Sequence, residues 1–275
     1  MSSRHARPAL NVHEAWDWAT PMRRVASAFN GREGVFLQFG DSLTLAAPNS
    51  HWARCGDWSS DEREFLDWAH AGCNDERDGW YLAVTQTGPP QELRSFTASV
   101  GCSAKYSLAG GRLPPLADLL ATYTPQLAVY AIGTCDIVRK TPLTEYVSGI
   151  ERALDLILES ATVPILSTLT PRRTGNEAVL AANRELRRLA EERTLPLLDI
   201  YGELASRNAN VFEFLDDDGV HLTVGRSKGP PTEDHFLESG YLLRCYLTVR
   251  KAMAVKARVF DGIQRTDVCV DGRIL

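Results

Sequence analysis

The sequence predicts an α/β fold in which helices cover both faces of a parallel β-sheet. Five short apolar runs, rich in β-branched or aromatic residues, are typical of buried strands. Stretches with the helical spacing of apolar residues lie between and around them. Strands that alternate with helices are joined by right-handed crossovers, and these crossovers place the helices on the two faces of the sheet.

The five predicted strands are short and span residues 35–39, 95–100, 127–132, 163–169 and 195–200. Pro164 lies at the entry of the fourth strand, where a missing backbone N–H does least harm. The pattern therefore favours a sheet built from strands that are buried on both faces.

Helical spacing is clearest in three segments, residues 146–158, 176–193 and 237–257. Pro142 precedes the first of them, in a position where proline is tolerated. The sequence contains no internal repeat, low-complexity tract or linker that would separate two domains. We therefore expect residues 1–275 to form a single domain.

Two long segments do not belong to a minimal layered sheet, residues 44–94 and 224–236, and they are interpreted as insertions. Long loops in a compact domain are usually functional or mobile. Residues 61–70 of the first segment are expected to form a short helix. This segment also carries four of the six tryptophans, which could be local core or a platform for a sugar or acyl group: Trp52, Trp58, Trp68 and Trp80.

Composition and charge exclude several classes of function. Thirty basic and 35 acidic residues give a formal charge of −5, and no basic run is long enough to follow a phosphate backbone, so nucleic acid is not an expected partner. We see no signal peptide or membrane span, and we expect a cytoplasmic protein without stable membrane insertion. The six cysteines are scattered and no pair has metal-ligand spacing, which predicts free thiols and no metal site.

The first candidate for chemistry is Ser42, in the motif GDSL at residues 40–43. The motif directly follows the first predicted strand, and open α/β sheets bind their ligands at the carboxyl ends of the strands. A serine hydroxyl is a weak nucleophile and must transfer its proton to a base as it attacks. A histidine is therefore expected nearby in space.

The motif DGVH at residues 218–221 could supply both the base and the acid that orients it. An ionised Asp218 that accepts a hydrogen bond from one ring nitrogen of His221 would fix the tautomer and stabilise the imidazolium formed during attack. Asp216 and Asp217 are neighbouring carboxylates that could take the same role. The motif could also be only a polar turn, because Asp and Gly are common in turns.

Four short motifs, each at a predicted strand end, resemble the GDSL or SGNH hydrolase family: GDSL at 40–43, Gly101, GTCD at 133–136 and DGVH at 218–221. They occur in the family's order and span nearly the whole chain. The resemblance implies a flavodoxin-like three-layer α/β/α sandwich with a parallel five-stranded sheet.

The resemblance also implies roles for individual residues. Ser42 would be the nucleophile and one backbone donor of the oxyanion hole, with Gly101 the second backbone donor. His221 and Asp218 would complete the catalytic triad. The third motif departs from the family, because Cys135 replaces the asparagine whose amide is the third donor. A thiol is a poor hydrogen-bond donor, and loss of one donor lowers the rate roughly 100- to 1000-fold.

Several residues have simpler interpretations. Gly101 could serve only a tight strand end, and Cys135 could be a small buried apolar residue. Ser103 lies in a sequence close to the nucleophile elbow of α/β-hydrolases, although the final glycine of that motif is missing. His51 and His235 lie in the two long segments, where they could contact substrate or have no role.

The expected function is a serine hydrolase that cleaves carboxylic esters through an acyl-enzyme, without a metal or organic cofactor. The substrate would be a small-molecule, carbohydrate or lipid ester. Two alternatives stay open: an acyltransferase that uses an alcohol or sugar acceptor, and a binding protein that keeps the fold but has lost the reaction because of Cys135. Three explanations for Cys135 also stay open. Another donor from the long segments could replace the asparagine, the enzyme could be slow or adapted to an unusual substrate, or the site could have lost hydrolysis.

Overall fold

A computed structural model describes residues 7–71 and 95–261 of the chain. Part of the first long segment, residues 72–94 with Trp80, lies outside the described residues, as do Cys73 and Cys269. Among the residues that are described, no helix combines the length and the apolar character needed to cross a bilayer.

The core of the fold is a parallel sheet with the strand order β1-β2-β3-β4. The strands are β1 (Phe36–Gly40), β2 (Leu127–Ala131), β3 (Val163–Ser167) and β4 (Leu197–Leu198). Gly40 at the end of β1 is paired with Ala131 at the end of β2, so the two strands end at the same edge of the sheet. Side chains of all four strands are almost entirely buried, as the continuous apolar runs predict.

The predicted strand at residues 95–100 is wrong as a full strand, and the described residues form four strands rather than five. Only one bridge joins this segment to the sheet, between Ala98 and Gly40. The hydroxyl of Ser95 accepts from the backbone N–H groups of Thr97 and Ala98 at 3.1 and 2.9 Å. This local turn competes with the ladder. Because β2 occupies the other side of β1, the segment lies at the outer edge, the place of the second strand in a flavodoxin-like sheet.

Two predicted boundaries also move because polar side chains cap helices. The predicted strand 195–200 is shortened to β4, since Asp199 accepts from the backbone N–H of Gly202 at 2.9 Å and starts the next helix. The predicted helix 237–257 is divided at Ser239, whose hydroxyl accepts from Leu242 N–H at 3.1 Å. Each cap ends one element and begins another.

The α-helices of the described residues are α1 (Ala19–Ser27), α2 (Ser42–Leu45), α3 (His51–Cys55), α4 (Ser60–Ala71), α5 (Ala104–Ala109), α6 (Leu116–Tyr123), α7 (Thr134–Val138), α8 (Leu143–Glu159), α9 (Asn176–Glu192), α10 (Ile200–Arg207), α11 (Glu233–Glu238) and α12 (Gly240–Val255). Short 3₁₀ turns lie at Ala47–Ser50 and Val211–Phe214, and a π-helical turn at Lys256–Phe260 follows α12. Helices α4, α8 and α9 confirm the predicted segments 61–70, 146–158 and 176–193.

The helices form two packed groups around the sheet. Helix α8 packs against α5, α6 and α9, whereas α12 packs against α3, α4 and α10. Trp52 of the first long segment is fully buried, and its ring meets that of Tyr246 on α12 with centroids 5.6 Å apart. Trp68 packs against Phe65 in a tilted arrangement, with ring centroids also 5.6 Å apart. These two tryptophans therefore belong to the local core rather than to an exposed platform.

Candidate active site

Ser42 lies directly after β1, at the first residue of α2. The carboxylate of Asp41 caps this helix, accepting from the backbone N–H of Leu43 at 3.0 Å. Gly40 permits the close approach of the helix to the strand, because a Cβ at this position would lie 1.9 Å from the Thr44 hydroxyl oxygen. The tight strand-to-helix turn holds the Ser42 side chain at the carboxyl edge of the sheet.

A short closed loop carries the second part of the site. Leu215 and Leu222 form an antiparallel bridge at its base. Within the loop, Asp216 N–H donates to His221 O at 2.8 Å, and Gly219 N–H donates to Asp216 O at 2.9 Å. Gly219 has φ of +68°, a left-handed conformation that glycine adopts without strain. The loop is therefore a compact turn that presents residues 218–221 at one end.

Asp218 uses its two oxygens for different purposes. Oδ1 accepts from the backbone N–H groups of Val220 and His221 at 2.9 and 2.8 Å, which fixes the turn. Oδ2 lies 2.6 Å from Nδ1 of His221, which fixes the ring. Of the two alternative carboxylates, Asp216 instead accepts from the backbone N–H of Asp217 at 2.8 Å. Asp218 is the carboxylate that contacts the imidazole.

The fold brings Ser42 and His221 together although 178 residues separate them. Nε2 of His221 lies 3.1 Å from Oγ of Ser42, so a hydroxyl, an imidazole and a carboxylate form one hydrogen-bonded line. The side chains of His221 and Asp218 are 37% and 51% exposed, which leaves the line open to solvent. Such a line can deprotonate the hydroxyl while the carboxylate stabilises the resulting imidazolium.

The pKa of Asp218 is lowered to about 2. Partial burial acts to raise it, but the hydrogen bonds from the His221 ring and from the backbone of Val220 and His221 outweigh that effect. The carboxylate therefore stays ionised at every pH of an ordinary assay, as an orienting group must.

Two buried charged residues, Asp41 and Arg244, lie near the Ser42 turn, and the sequence analysis did not select them. Burial raises the pKa of the Asp41 carboxyl, and the positive charge of Arg244 opposes the rise. Arg244 is itself only 4% exposed and donates from Nη2 to the Thr44 hydroxyl at 2.8 Å. The signal in the sequence was an arginine within the apolar pattern of α12.

The expected oxyanion donor Gly101 and the start of α7 lie on the other side of the candidate site. Gly101 has φ of +83°, and its carbonyl accepts from Nη2 of Arg139 at 2.9 Å. The same guanidinium stacks over the ring of Tyr106, 5.0 Å from the centroid. The sequence reading did not select Arg139, which anchors the peptide next to the expected backbone donor.

Cys135 lies at the second position of α7, close to Gly101. Burial and the nearby Asp41 carboxylate raise the pKa of the thiol to about 11, although the Arg139 charge and the backbone N–H of Gly101 act in the opposite direction. Because the Gly101 N–H acts on the thiol, the sulfur lies near the expected oxyanion donor. At neutral pH this group is a protonated thiol and a weak hydrogen-bond donor.

This pKa leads to a labelling prediction. Well below a pKa of about 11, the thiolate fraction of Cys135 rises tenfold for each pH unit, and the thiolate is the form that reacts. Alkylation of Cys135 by iodoacetamide should therefore be slow at pH 8 and roughly tenfold faster at pH 9, measured by peptide mass spectrometry. The exposed Cys55 is the internal control for reagent quality. Rapid alkylation of Cys135 at pH 7 would contradict the prediction.

The remaining candidates have structural partners. Ser103 is buried and caps α5, accepting from Tyr106 N–H at 3.3 Å, and no histidine contacts it among the described residues. Nδ1 of His51 lies 2.8 Å from Oγ of Ser227, a contact that ties the two long segments together. Nδ1 of His235 lies 2.8 Å from the carbonyl of Pro230. The fold does not bring these side chains to Ser42.

Comparison with known proteins finds one matching family model and several structures with a similar fold. The model of the GDSL-like Lipase/Acylhydrolase family matches residues 39–224. A carbohydrate esterase of family 3 from Talaromyces cellulolyticus is similar in structure, with TM-score 0.52 and 12% identity over 83% of this chain and 98% of that one. For a lipase/acylhydrolase from Enterococcus faecalis the TM-score is 0.50 and the identity 17%, over 80% of this chain and 95% of that one. For an acetyl xylan esterase the TM-score is 0.50 and the identity 12%, over 77% of this chain and 96% of that one. No curated protein matches the sequence. At these identities the structural matches show the fold alone.

Proposed function

Because the chain belongs to the GDSL-like lipase/acylhydrolase family, we propose that it hydrolyses carboxylic esters through an acyl-enzyme formed on Ser42. The observation that carries the proposal is the hydrogen-bonded line from Ser42 through His221 to Asp218, with contacts of 3.1 and 2.6 Å. Nucleophile, base and orienting acid in mutual contact are what acyl transfer requires.

In the first half of the proposed reaction, Oγ of Ser42 attacks the ester carbonyl carbon while Nε2 of His221 takes the hydroxyl proton. The tetrahedral intermediate then collapses, and His221 returns that proton to the leaving alcohol. Asp218 remains ionised throughout and stabilises the imidazolium. Water repeats the sequence on the acyl-enzyme and releases the carboxylic acid and free Ser42.

The backbone N–H groups of Ser42 and Gly101 are the proposed donors to the oxyanion. Arg139 holds the carbonyl of Gly101, in the peptide unit next to the one that carries the donor N–H, and a fixed neighbouring unit limits reorganisation of the donor as negative charge develops. Cys135 occupies the third position without an amide. The proposed site is therefore a two-donor oxyanion hole whose third wall is a thiol.

The Cys135→Asn variant should have a higher rate. An amide in place of the thiol supplies a third donor, and one such donor is worth roughly 100- to 1000-fold in kcat in a site built around it. Because this site has adapted to cysteine, we expect a smaller increase, about tenfold in kcat, measured with a p-nitrophenyl ester.

Cys135→Ala is the matched control for that measurement. It removes the thiol without adding a donor, so its kcat should stay near the wild-type value. An unchanged or lower rate in Cys135→Asn would mean that another group completes the oxyanion hole. An equal increase in both variants would mean that relief of crowding, not hydrogen bonding, raised the rate.

The proposed function is tested with a series of p-nitrophenyl esters from acetate to palmitate. Turnover of any member, together with covalent labelling of Ser42 by a fluorophosphonate probe, is the expected result. A protein that turns over no ester and does not react with the probe would be a binding protein on the same fold.

A further inference from the structure

A cavity of about 510 Å³ lies between α7, α8 and α9, and the proposed reaction does not yet use it. Its apolar wall includes Ile137, Val138, Leu143 and Ala178. Val138 and Leu143 are 57% and 40% exposed, which is unusual for large apolar side chains that lie close together. The cavity is large enough for the apolar part of a small ligand.

Two segments that line the cavity also carry residues of the candidate active site or residues bonded to it. Residue 136, which lines the cavity, directly follows Cys135 on α7. On the opposite wall, Arg172 and Thr174 flank Arg173, whose backbone N–H donates to Gly219 O at 2.9 Å in the histidine loop. The lining of the cavity thus comes within one residue of Cys135 on one side, and within one residue of the partner of Gly219 on the other.

The lining of the cavity includes two cationic side chains, which binding of a purely apolar acyl chain would not require. Lys140 and Arg172 line it, and neither has an ion-pair partner in the described part of the chain. Asp136, the one acidic residue of the lining, already accepts from Ala104 N–H at 3.0 Å.

We propose that this cavity receives the acyl chain of the substrate and that the chain ends in a carboxylate, which Arg172 and Lys140 bind. The proposal rests on the proposed ester hydrolysis at Ser42. A carboxylate forms charge-assisted hydrogen bonds with a guanidinium or an ammonium group, and both groups line this cavity. The apolar walls would hold the methylene groups between the two ends. The preferred substrates are then half esters of dicarboxylic acids.

The acyl side of the ester is favoured over the alcohol side by the direction of the reaction. The leaving oxygen must lie at Nε2 of His221, which protonates it. The acyl remainder stays bonded to Ser42 beside the oxyanion donors, where α7 begins. Since α7 also lines the cavity, the acyl chain is the part of the substrate that can enter it.

The test compares mono-p-nitrophenyl adipate, suberate and sebacate with the p-nitrophenyl esters of hexanoate, octanoate and decanoate. In these acids the free carboxylate is too distant to attack its own ester. A charge-assisted hydrogen bond predicts that kcat/KM for the best half ester exceeds that of its neutral partner by about 10- to 100-fold. A ratio near one, or a preference for the neutral ester in every pair, would overturn the inference.

Variants assign the preference to the cavity. Arg172→Gln and Lys140→Gln should each reduce the ratio of the two kcat/KM values, whatever they do to the absolute rates. Arg184→Gln is the control, because Arg184 lies on α9, which lines this cavity through Ala178 and Ala181, but the Arg184 side chain lines a different cavity. A ratio that is unchanged in both cavity variants, or that falls equally in Arg184→Gln, would overturn the assignment.

A binding measurement separates this inference from the proposed function. Calorimetry on Ser42→Ala should show that octanedioate binds more tightly than octanoate, and that Arg172→Gln removes the difference. This result would support the cavity site even if no ester were turned over. Turnover of neutral esters with no preference for octanedioate would leave the esterase standing and end the inference. A carboxylate preference confined to the alcohol side, tested with 4-acetoxybenzoate against phenyl acetate, would also overturn it.

Discussion

The Ser42→Ala variant should lose nearly all ester hydrolysis, with kcat lower by roughly 10⁴- to 10⁶-fold. The methyl group cannot form the acyl-enzyme, so only substrate binding and the oxyanion donors remain to assist water. The measurement is initial-rate hydrolysis of the best p-nitrophenyl ester, with fluorophosphonate labelling followed by mass spectrometry. The fold should persist, because Asp41 rather than Ser42 caps α2.

Ser103→Ala is the matched control for that experiment. Ser103 follows the oxyanion segment and resembles a nucleophile in sequence, but its hydroxyl caps α5. Loss of the cap should lower the free energy of unfolding by about 1 kcal/mol and leave probe labelling intact. Labelling of Ser103, or full activity in Ser42→Ala, would contradict the assignment of the nucleophile.

The His221→Ala variant should show a second large loss, again roughly 10⁴-fold or more in kcat. Without the imidazole, Ser42 has no group to take its proton, and Asp218 has no ring to orient. Because the His221 side chain is 37% exposed at the surface, the change in stability should stay within about 0.5 kcal/mol. Thermal denaturation measured beside the rate separates loss of the base from loss of the fold.

His235→Ala tests whether the effect is specific to His221. His235 is a nearby histidine in the chain, and its ring contacts Pro230 and Arg226 rather than Ser42. We expect its kcat to stay within about twofold of wild type, in the range of a surface substitution. A comparable collapse in both variants would show that the region needs histidine for structure, and His221 would lose its proposed role.

Local pattern was sufficient to predict most of the fold. The strands β1, β2 and β3 are continuous apolar runs because both of their faces are buried, and α8 and α9 show a helical period because one face packs on the sheet. The prediction failed at residues 95–100, where the Ser95 hydroxyl bonds the backbone into a turn. An apolar pattern does not show that a polar side chain will compete with the ladder.

The sequence also identified the candidate line of Ser42, His221 and Asp218, because a serine at the carboxyl end of a parallel strand needs a histidine and a carboxylate nearby. The expectation that residues 218–221 lie at a strand end was wrong, since α10 and a 3₁₀ turn separate them from β4. The sequence did not identify Arg139 and Arg244. Each supports its target from a distant part of the chain, Arg139 on the carbonyl of Gly101 and Arg244 on the hydroxyl of Thr44. No local spacing connects such pairs.

The sequence by itself determined which segments are buried and which polar residues lie at strand ends, because burial and strand direction leave a periodic trace in neighbouring residues. Only the tertiary structure decided what those residues touch: the 3.1 Å contact of Ser42 with His221, the thiol beside Gly101, and the cationic cavity next to α7. Contacts of this kind depend on how separate elements pack, and packing is a property of the whole chain rather than of any one segment.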